Sequence, residues 1–236
     1  MYLAIEGKDH VGKTKQIELL AERLKNEGRD VVVVREPGST PLAEDLRNCI
    51  KNIYADRTDY MEHLLMFTTA RYSLLKHVIV PALEAGKVVI SDRCWISSLF
   101  YQVMESPAAT EERDAAMDVL RVPLNAFRSA RPHVLVLFND KLAKQLSEGR
   151  DALEDVNVDV VARRDHGYAG LTGRAPFQDQ DARMLVTGYT QSVSHVTGDL
   201  LSIEEIHELI YERFVALENS MRARRTSKGI QETLAG

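Results

Sequence analysis

Cysteine is scarce in this sequence: Cys49 and Cys94 are the two present among 236 residues, and neither belongs to a CxxC pair. Two thiols cannot build a disulfide framework, so a cross-linked scaffold is excluded and both read as small buried residues. No apolar run approaches the roughly 18 residues of a membrane span, and none is expected. A basic excess is also missing. Lys and Arg total 30 against 35 Asp and Glu, a formal net charge of −5, which argues against a dedicated binder of nucleic acid or anionic membrane. No basic segment followed by an apolar one opens the sequence, so no secretory signal is expected, and a reducing, cytoplasmic compartment follows. No internal repeat is visible. What is present is ordinary globular composition, 44% hydrophobic and 28% charged, enough for a large core.

Short apolar runs alternate with helical periodicity. Met1–Glu6 reads as a buried strand running into a glycine. Lys13 to Gly28 reads as a helix with Ile17, Leu20 and Leu24 on one face and Gly28 as its C-terminal cap. The β-branched run Val31–Val34 suits a strand buried on both faces, broken by Glu36-Pro37-Gly38. Helices are expected from about Pro41 to Ile53, from Thr58 to Ala85 with a break near Pro81, from Trp95 to Met104 and from Glu111 to Phe127. Further strands are expected at Val88–Ile90, His133–Phe138 and Val193–Val196, with a short helix over Asp140 to Ser147. Ser202-x-x-Glu205 is a capping box opening a helix with Ile203, Ile206, Ile210 and Phe214 inward. The alternation predicts an α/β fold: a five-stranded parallel sheet with helices on both faces. One domain is expected over residues 1–218, with a polar, glycine-bearing lid at about 149–190 and a frayed tail at 219–236.

Gly7-Lys8-Asp9-His10-Val11-Gly12-Lys13-Thr14 fits G-x-x-x-x-G-K-[ST], between a predicted strand and a predicted helix. The glycines let backbone N–H groups turn inward as an anion nest, and the helix presents its positive end to the same anion. Lys13 is placed to reach β- and γ-phosphates, and the Thr14 hydroxyl to ligate magnesium. Asp92 ends an apolar strand, where a parallel sheet opens its ligand crevice; it either holds magnesium, directly or through water, or caps the next helix. Arg93 beside it is either an anion clamp or a surface ion pair. The loop by itself indicates a nucleotide and not a reaction. Asn139-Asp140-Lys141-Leu142 does not fit the guanine-reading N-K-x-D segment, and the chain is short for a motor ATPase. A small P-loop domain with arginines near the crevice suggests phosphoryl transfer to a small acceptor.

Several blocks, in order along most of the chain, resemble thymidylate kinase: Glu6-Gly7-x-Asp9, Gly12-Lys13-Thr14-x-Gln16, Arg35-Glu36-Pro37-Gly38-Ser39-Thr40-Pro41, Leu64-Leu65-x-Phe67 with Arg71, Asp92-Arg93, and Ser97-Ser98-x-x-Tyr101-Gln102. The match continues through Pro132–Phe138, Asp151-x-x-Glu154, Tyr168 and the Ser202–Phe214 helix. The resemblance implies a P-loop kinase fold, ATP with Mg2+ as donor, dTMP as acceptor and a homodimer. It implies that Gly7, Asp9, His10, Val11, Gly12, Lys13 and Thr14 enclose the ATP phosphates. Asp9 would also meet the acceptor sugar or the metal shell. Phe67 would stack on the pyrimidine and Arg71 hydrogen-bond it, Ser98 and Gln102 would read its edge, and Tyr101 would pack on the deoxyribose. Arg47 and Arg93 would hold the acceptor phosphate, and Glu36, Pro37 and Ser97 would also belong to the substrate-binding set.

Such an acceptor is a phosphate monoester with a second pKa near ~6, so it needs no general base; positioning and cations carry the catalysis. Lys13, Asp9, Arg93 and a lid arginine form the catalytic set, with Arg150 put ahead of Arg163, Arg164 and Arg174. The sequence departs from the family at His10, Ala70, Cys94 and Ala152, and in a longer Ala169–Thr190 segment. The departures leave a modified deoxyuridylate such as 5-hydroxymethyl-dUMP open as acceptor. A nucleotide-binding protein that has lost transfer, and a nucleoside kinase acting on a sugar hydroxyl, are the alternatives.

Overall fold

A computed structural model describes residues 1–7, 11–52, 59–104, 110–138, 190–194 and 201–234. Its strands are β1 (Tyr2–Glu6), β2 (Val31–Arg35), β3 (Val88–Asp92), β4 (His133–Phe138) and β5 (Thr190–Ser194), all paired in parallel, in the order β2-β3-β1-β4-β5. The helices are α1 (Lys13–Asn26), α2 (Pro41–Asn52), α3 (Tyr60–Leu74), α4 (Val80–Glu84), α5 (Trp95–Ser98), α6 (Thr110–Ala126) and α7 (Ile203–Leu234). The strands alternate faces as the pleat requires. Leu3, Ile5, Val88 and Ile90 pack under α1 and α7, against Leu20, Leu24, Ile210 and Phe214. Tyr2, Val34 and Val89 face the other side, against Leu74 and Ile79, while Ala4 and Val134 meet Phe100 and Leu120. The parallel sheet covered on both faces is therefore present.

Local chemistry explains the element ends. Asp59 caps α3 by accepting from Met61 N and Glu62 N at 3.0 and 2.9 Å. Thr40 Oγ1 does the same for α2 from Ala43 N at 3.1 Å, with Pro41 as the first helical residue. The capping box forms both its bonds, Ser202 N to Glu205 Oε2 at 2.7 Å and Glu205 N to Ser202 Oγ at 3.1 Å. Gly28, at φ 78°, closes α1 while Arg29 N bonds Leu24 O and Gly28 N bonds Lys25 O, each at 2.9 Å.

The structure corrects several expectations. β2 lies at the edge of the sheet, with Val33 47% exposed, so a β-branched run did not mean burial on both faces. The break expected near Pro81 lies upstream, as a π turn over Leu75–Ile79 in which Val80 N bonds Leu75 O. A proline cannot donate to the carbonyl four residues back, and the wider turn accommodates the lost bond. A second π turn, Leu99–Met104, continues α5. The last described strand starts at Thr190 rather than Val193. The residues expected to fray from 219 onward are helical through Leu234. Arg23 bonds Glu208 at 2.8 Å and stacks on Tyr211, whose hydroxyl bonds Glu27, while Arg29 pairs with Glu218; α7 is thus fastened to α1. No helix among the described residues is long and apolar enough to cross a membrane.

Candidate functional site

The C-terminal ends of β1 and β3 lie side by side, Ile5 opposite Asp92, and the chain leaves both into the loops that build the site. After β1 come Gly7 at φ 138° and Gly12 at φ 90°. Gly12 caps α1 in the left-handed region that glycine adopts readily. It offers no side-chain cap, and the first turn of α1 carries no acidic residue, so the helix N-terminus keeps its attraction for an anion. Lys13 is buried at 6% exposure and Thr14 is exposed. Thr14 Oγ1 donates to Asp92 Oδ2 at 3.3 Å, while Asp92 Oδ1 is buried with no hydrogen-bond partner among the described residues. A hydroxyl and a carboxylate with an unsatisfied oxygen are the hard donors magnesium takes, so these residues fit the ion.

The turn after β2 is tightly specified. Gly38, at φ 143°, lies where a Cβ would meet Glu44 Oε1 at 2.7 Å. That carboxylate bonds Ser39 N and Arg35, each at 2.7 Å, and the Ser39 N–H chiefly, helped by Arg35, holds the Glu44 carboxyl below its ordinary value. The Glu36-Pro37 bond is cis, and Arg47 Nη1 donates to Pro37 O at 3.2 Å. Glu36, at 6% exposure, accepts from Arg71 Nε at 2.7 Å through Oε2 and from the Tyr2 hydroxyl at 3.3 Å through Oε1. Burial pushes its carboxyl up, against the Arg71 guanidinium. Arg71, 3% exposed on α3, also donates from Nη2 to Ser98 Oγ at 2.8 Å, and its Nη1 has no hydrogen-bond partner among the described residues. Phe67 stands half-buried one turn before it, and Gln102 is buried one turn after Ser98.

A second buried carboxylate organises the turn after β3. Glu6, fully buried, accepts from Cys94 N at 2.7 Å, Ser97 N at 3.2 Å and Ser97 Oγ at 2.9 Å, and pairs with Arg93 at 3.9 Å. Arg93 takes φ 70°, unusual for a side-chain-bearing residue, donates to Ser97 Oγ at 3.1 Å and lies 5.5 Å from the centroid of Tyr101. Arg93 is therefore part of a built cluster rather than a surface ion pair. Burial, then Glu6 and Glu36, push the Cys94 thiol well up, which keeps it protonated and unreactive.

Of the residues singled out from sequence, the fold unites Thr14 with Asp92, Glu36 with Arg71 and Ser98, Arg93 with Ser97 and Tyr101, and Arg47 with Pro37. Asp9, His10, Arg150, the lid at 149–190 save its last residue, and the helix at 140–147 lie outside the described residues. Sequence reasoning missed the work of Glu6 and Tyr2, which it read as interior strand positions. A carboxylate inside an apolar strand was the available signal, because a charge is not buried without partners.

The thymidylate kinase family model matches residues 5–149 of this chain. The chain is 41% identical over 102 residues to the thymidylate kinase of Chlamydia muridarum (43% of this chain, 50% of that protein). It is 45% identical over 102 residues to that of Ruegeria pomeroyi (43% and 48%). These matches span about half the length of those relatives. A fuller match, 31% over 227 residues, covers 92% of this chain and 97% of the thymidylate kinase of Chlorobaculum parvum. The crystal structure of thymidylate kinase from Ehrlichia chaffeensis superposes with a TM-score of 0.63 at 23% identity, over 91% of this chain and 98% of that one, a likeness of fold.

Proposed function

The chain belongs to the thymidylate kinase family, and from that premise we propose that it transfers the γ-phosphoryl group of ATP to a deoxypyrimidine 5′-monophosphate, dTMP above all. The observation that carries this reading is the state of Arg71: buried, two of its donor nitrogens engaged, Nη1 left over. A guanidinium only donates, so facing position 4 of the ring it selects the carbonyl of thymine or uracil over the amino group of cytosine. Phe67, one turn away, supplies the stacking face. Ser98 and Gln102 read the base edge and Tyr101 packs on the sugar. Arg93 and Arg47, beside Ser97 and Pro37, receive the acceptor phosphate. On sequence alone, Asp9, His10 and Val11 complete the donor loop and Arg150 joins from the lid.

The Gly7–Thr14 loop holds the donor phosphates, with Lys13 neutralising charge between them. The acceptor phosphate is largely dianionic at neutral pH and attacks without a base. The barrier is the approach of two anions in line, which the arginines lower by position and charge. Thr14 and Asp92 would hold Mg2+, which supplies further neutralisation of the donor phosphates when bound. The work belongs to the cytoplasm and to small molecules, not to nucleic acid or membrane. Exposed Leu42, Leu65, Tyr72 and Val122 lie on α2, α3 and α6, with α2 packed on α3 and α3 on α6, and these exposed apolar side chains support a homodimer.

A coupled assay with ATP and Mg2+ across dTMP, dUMP, 5-hydroxymethyl-dUMP, dCMP, dGMP and thymidine tests the reading. Turnover of dTMP with formation of dTDP is expected. Turnover confined to cytosine or purine acceptors, or to thymidine, rejects it, and tight nucleotide binding without product points to a non-catalytic protein.

A further inference from the structure

Glu36 has two oxygens and divides them: Oε2 takes Arg71 Nε, and Oε1 takes the Tyr2 hydroxyl. A guanidinium facing a carboxylate ordinarily closes a two-pronged fork, with Nε and a terminal nitrogen on the two oxygens. Here that fork is open: Arg71 Nη2 goes to Ser98 Oγ at 2.8 Å. The Tyr2 ring is fixed in the layer of Val34, Leu74 and Val89 on β1, and it is 4% exposed. We propose that Tyr2 is a positioning residue: by occupying Glu36 Oε1 it keeps Arg71 one-pronged on Glu36, Nη2 on Ser98 and Nη1 turned toward the acceptor.

That Nη1 meets the acceptor rests on the kinase reading above; the splitting of the fork does not. Burial, then Glu36, raise the phenol well above its ordinary value, so Tyr2 remains a donor at every working pH. Remove the hydroxyl, and Oε1 loses its donor and competes with Ser98 Oγ for Nη2, the other prong of the same guanidinium. The guanidinium then swings from Ser98 to a closed fork, and Nη1 turns with it.

Tyr2→Phe removes the hydroxyl and keeps the ring. The KM for dTMP is expected to rise about tenfold while the KM for ATP stays unchanged, since the loss is confined to one charged hydrogen-bond geometry. Equal losses toward both substrates, or no loss toward dTMP, would overturn the assignment. A readout independent of turnover is the Arg71 Nε–H NMR signal, assigned with Arg71→Lys. It should shift in Tyr2→Phe, and an unmoved signal overturns the inference whatever the substrate. A native enzyme inert toward dTMP whose Arg71 signal still shifts rejects the kinase reading and retains the role of Tyr2.

Discussion

The Thr14 hydroxyl donates to Asp92 Oδ2 at 3.3 Å, joining the first turn of α1 to the end of β3 across 78 positions of sequence. Asp92→Asn keeps the shape and removes the charge. The Mg2+ concentration for half-maximal rate should rise by about 10–100-fold, with thermal stability little changed. A Mg2+ titration identical to that of the native protein would remove Asp92 from the metal site.

Lys13 lies buried at the head of α1, where the helix N-terminus carries no competing acidic side chain. Lys13→Met should lower kcat by about 10²–10³-fold, the loss typical of one preorganised charge. Steady-state kinetics with calorimetry of ATP binding check it, and the acceptor KM should move less than kcat.

Glu6 accepts from three donor groups of the turn that carries Arg93: Cys94 N, Ser97 N and Ser97 Oγ. Glu6→Gln weakens charge-assisted bonds and should cost about 1.5–3 kcal/mol of stability by denaturant titration. It should also raise the acceptor KM more than the ATP KM, because Arg93 loses its anchor.

Arg71→Ala leaves Glu36 buried without its cation, and about 3–5 kcal/mol of stability should go at neutral pH. Burial already raises the Glu36 carboxyl, and loss of the guanidinium raises it further. A carboxyl raised in the fold favours the folded state below the ordinary carboxylate range, and that contribution is lost as pH rises through the raised value. The variant should therefore regain stability on acidification, measured as Tm against pH. A Tm deficit constant from pH 4 to 8 contradicts this.

Glu218, half-buried on α7, is held below its ordinary value chiefly by its hydrogen bond to Arg29. A lowered carboxyl stabilises the fold above the ordinary carboxylate range and ceases to as pH falls through the lowered value. Glu218→Gln should cost up to about 1 kcal/mol at pH 7 and nothing at low pH, read from paired denaturation curves.

Much of this was visible in the residues. The Gly7–Thr14 spacing, the Val88–Asp92 strand, the Ser202–Glu205 capping box and the apolar faces of α1 and α7 follow from periodicity and from dihedrals that neighbouring residues set. The π turn at Leu75–Ile79 was legible only as a disturbance near Pro81, because its hydrogen bonds are chosen by packing. The edge position of β2 was not legible, since a run of valines reads alike at the edge and at the centre.

The sequence alone determined that a strand enters a glycine turn and leaves as a helix, because backbone freedom and helix capping act over a few residues. Only the tertiary structure decided what Tyr2, Glu6 and Glu36 do. Glu36 meets Tyr2 and Arg71 from 34 and 35 positions away, and Glu6 meets Cys94 and Ser97 from 88 and 91. The order β2-β3-β1 brings these ends together, and a carboxylate buried there must find its donors wherever topology has put them.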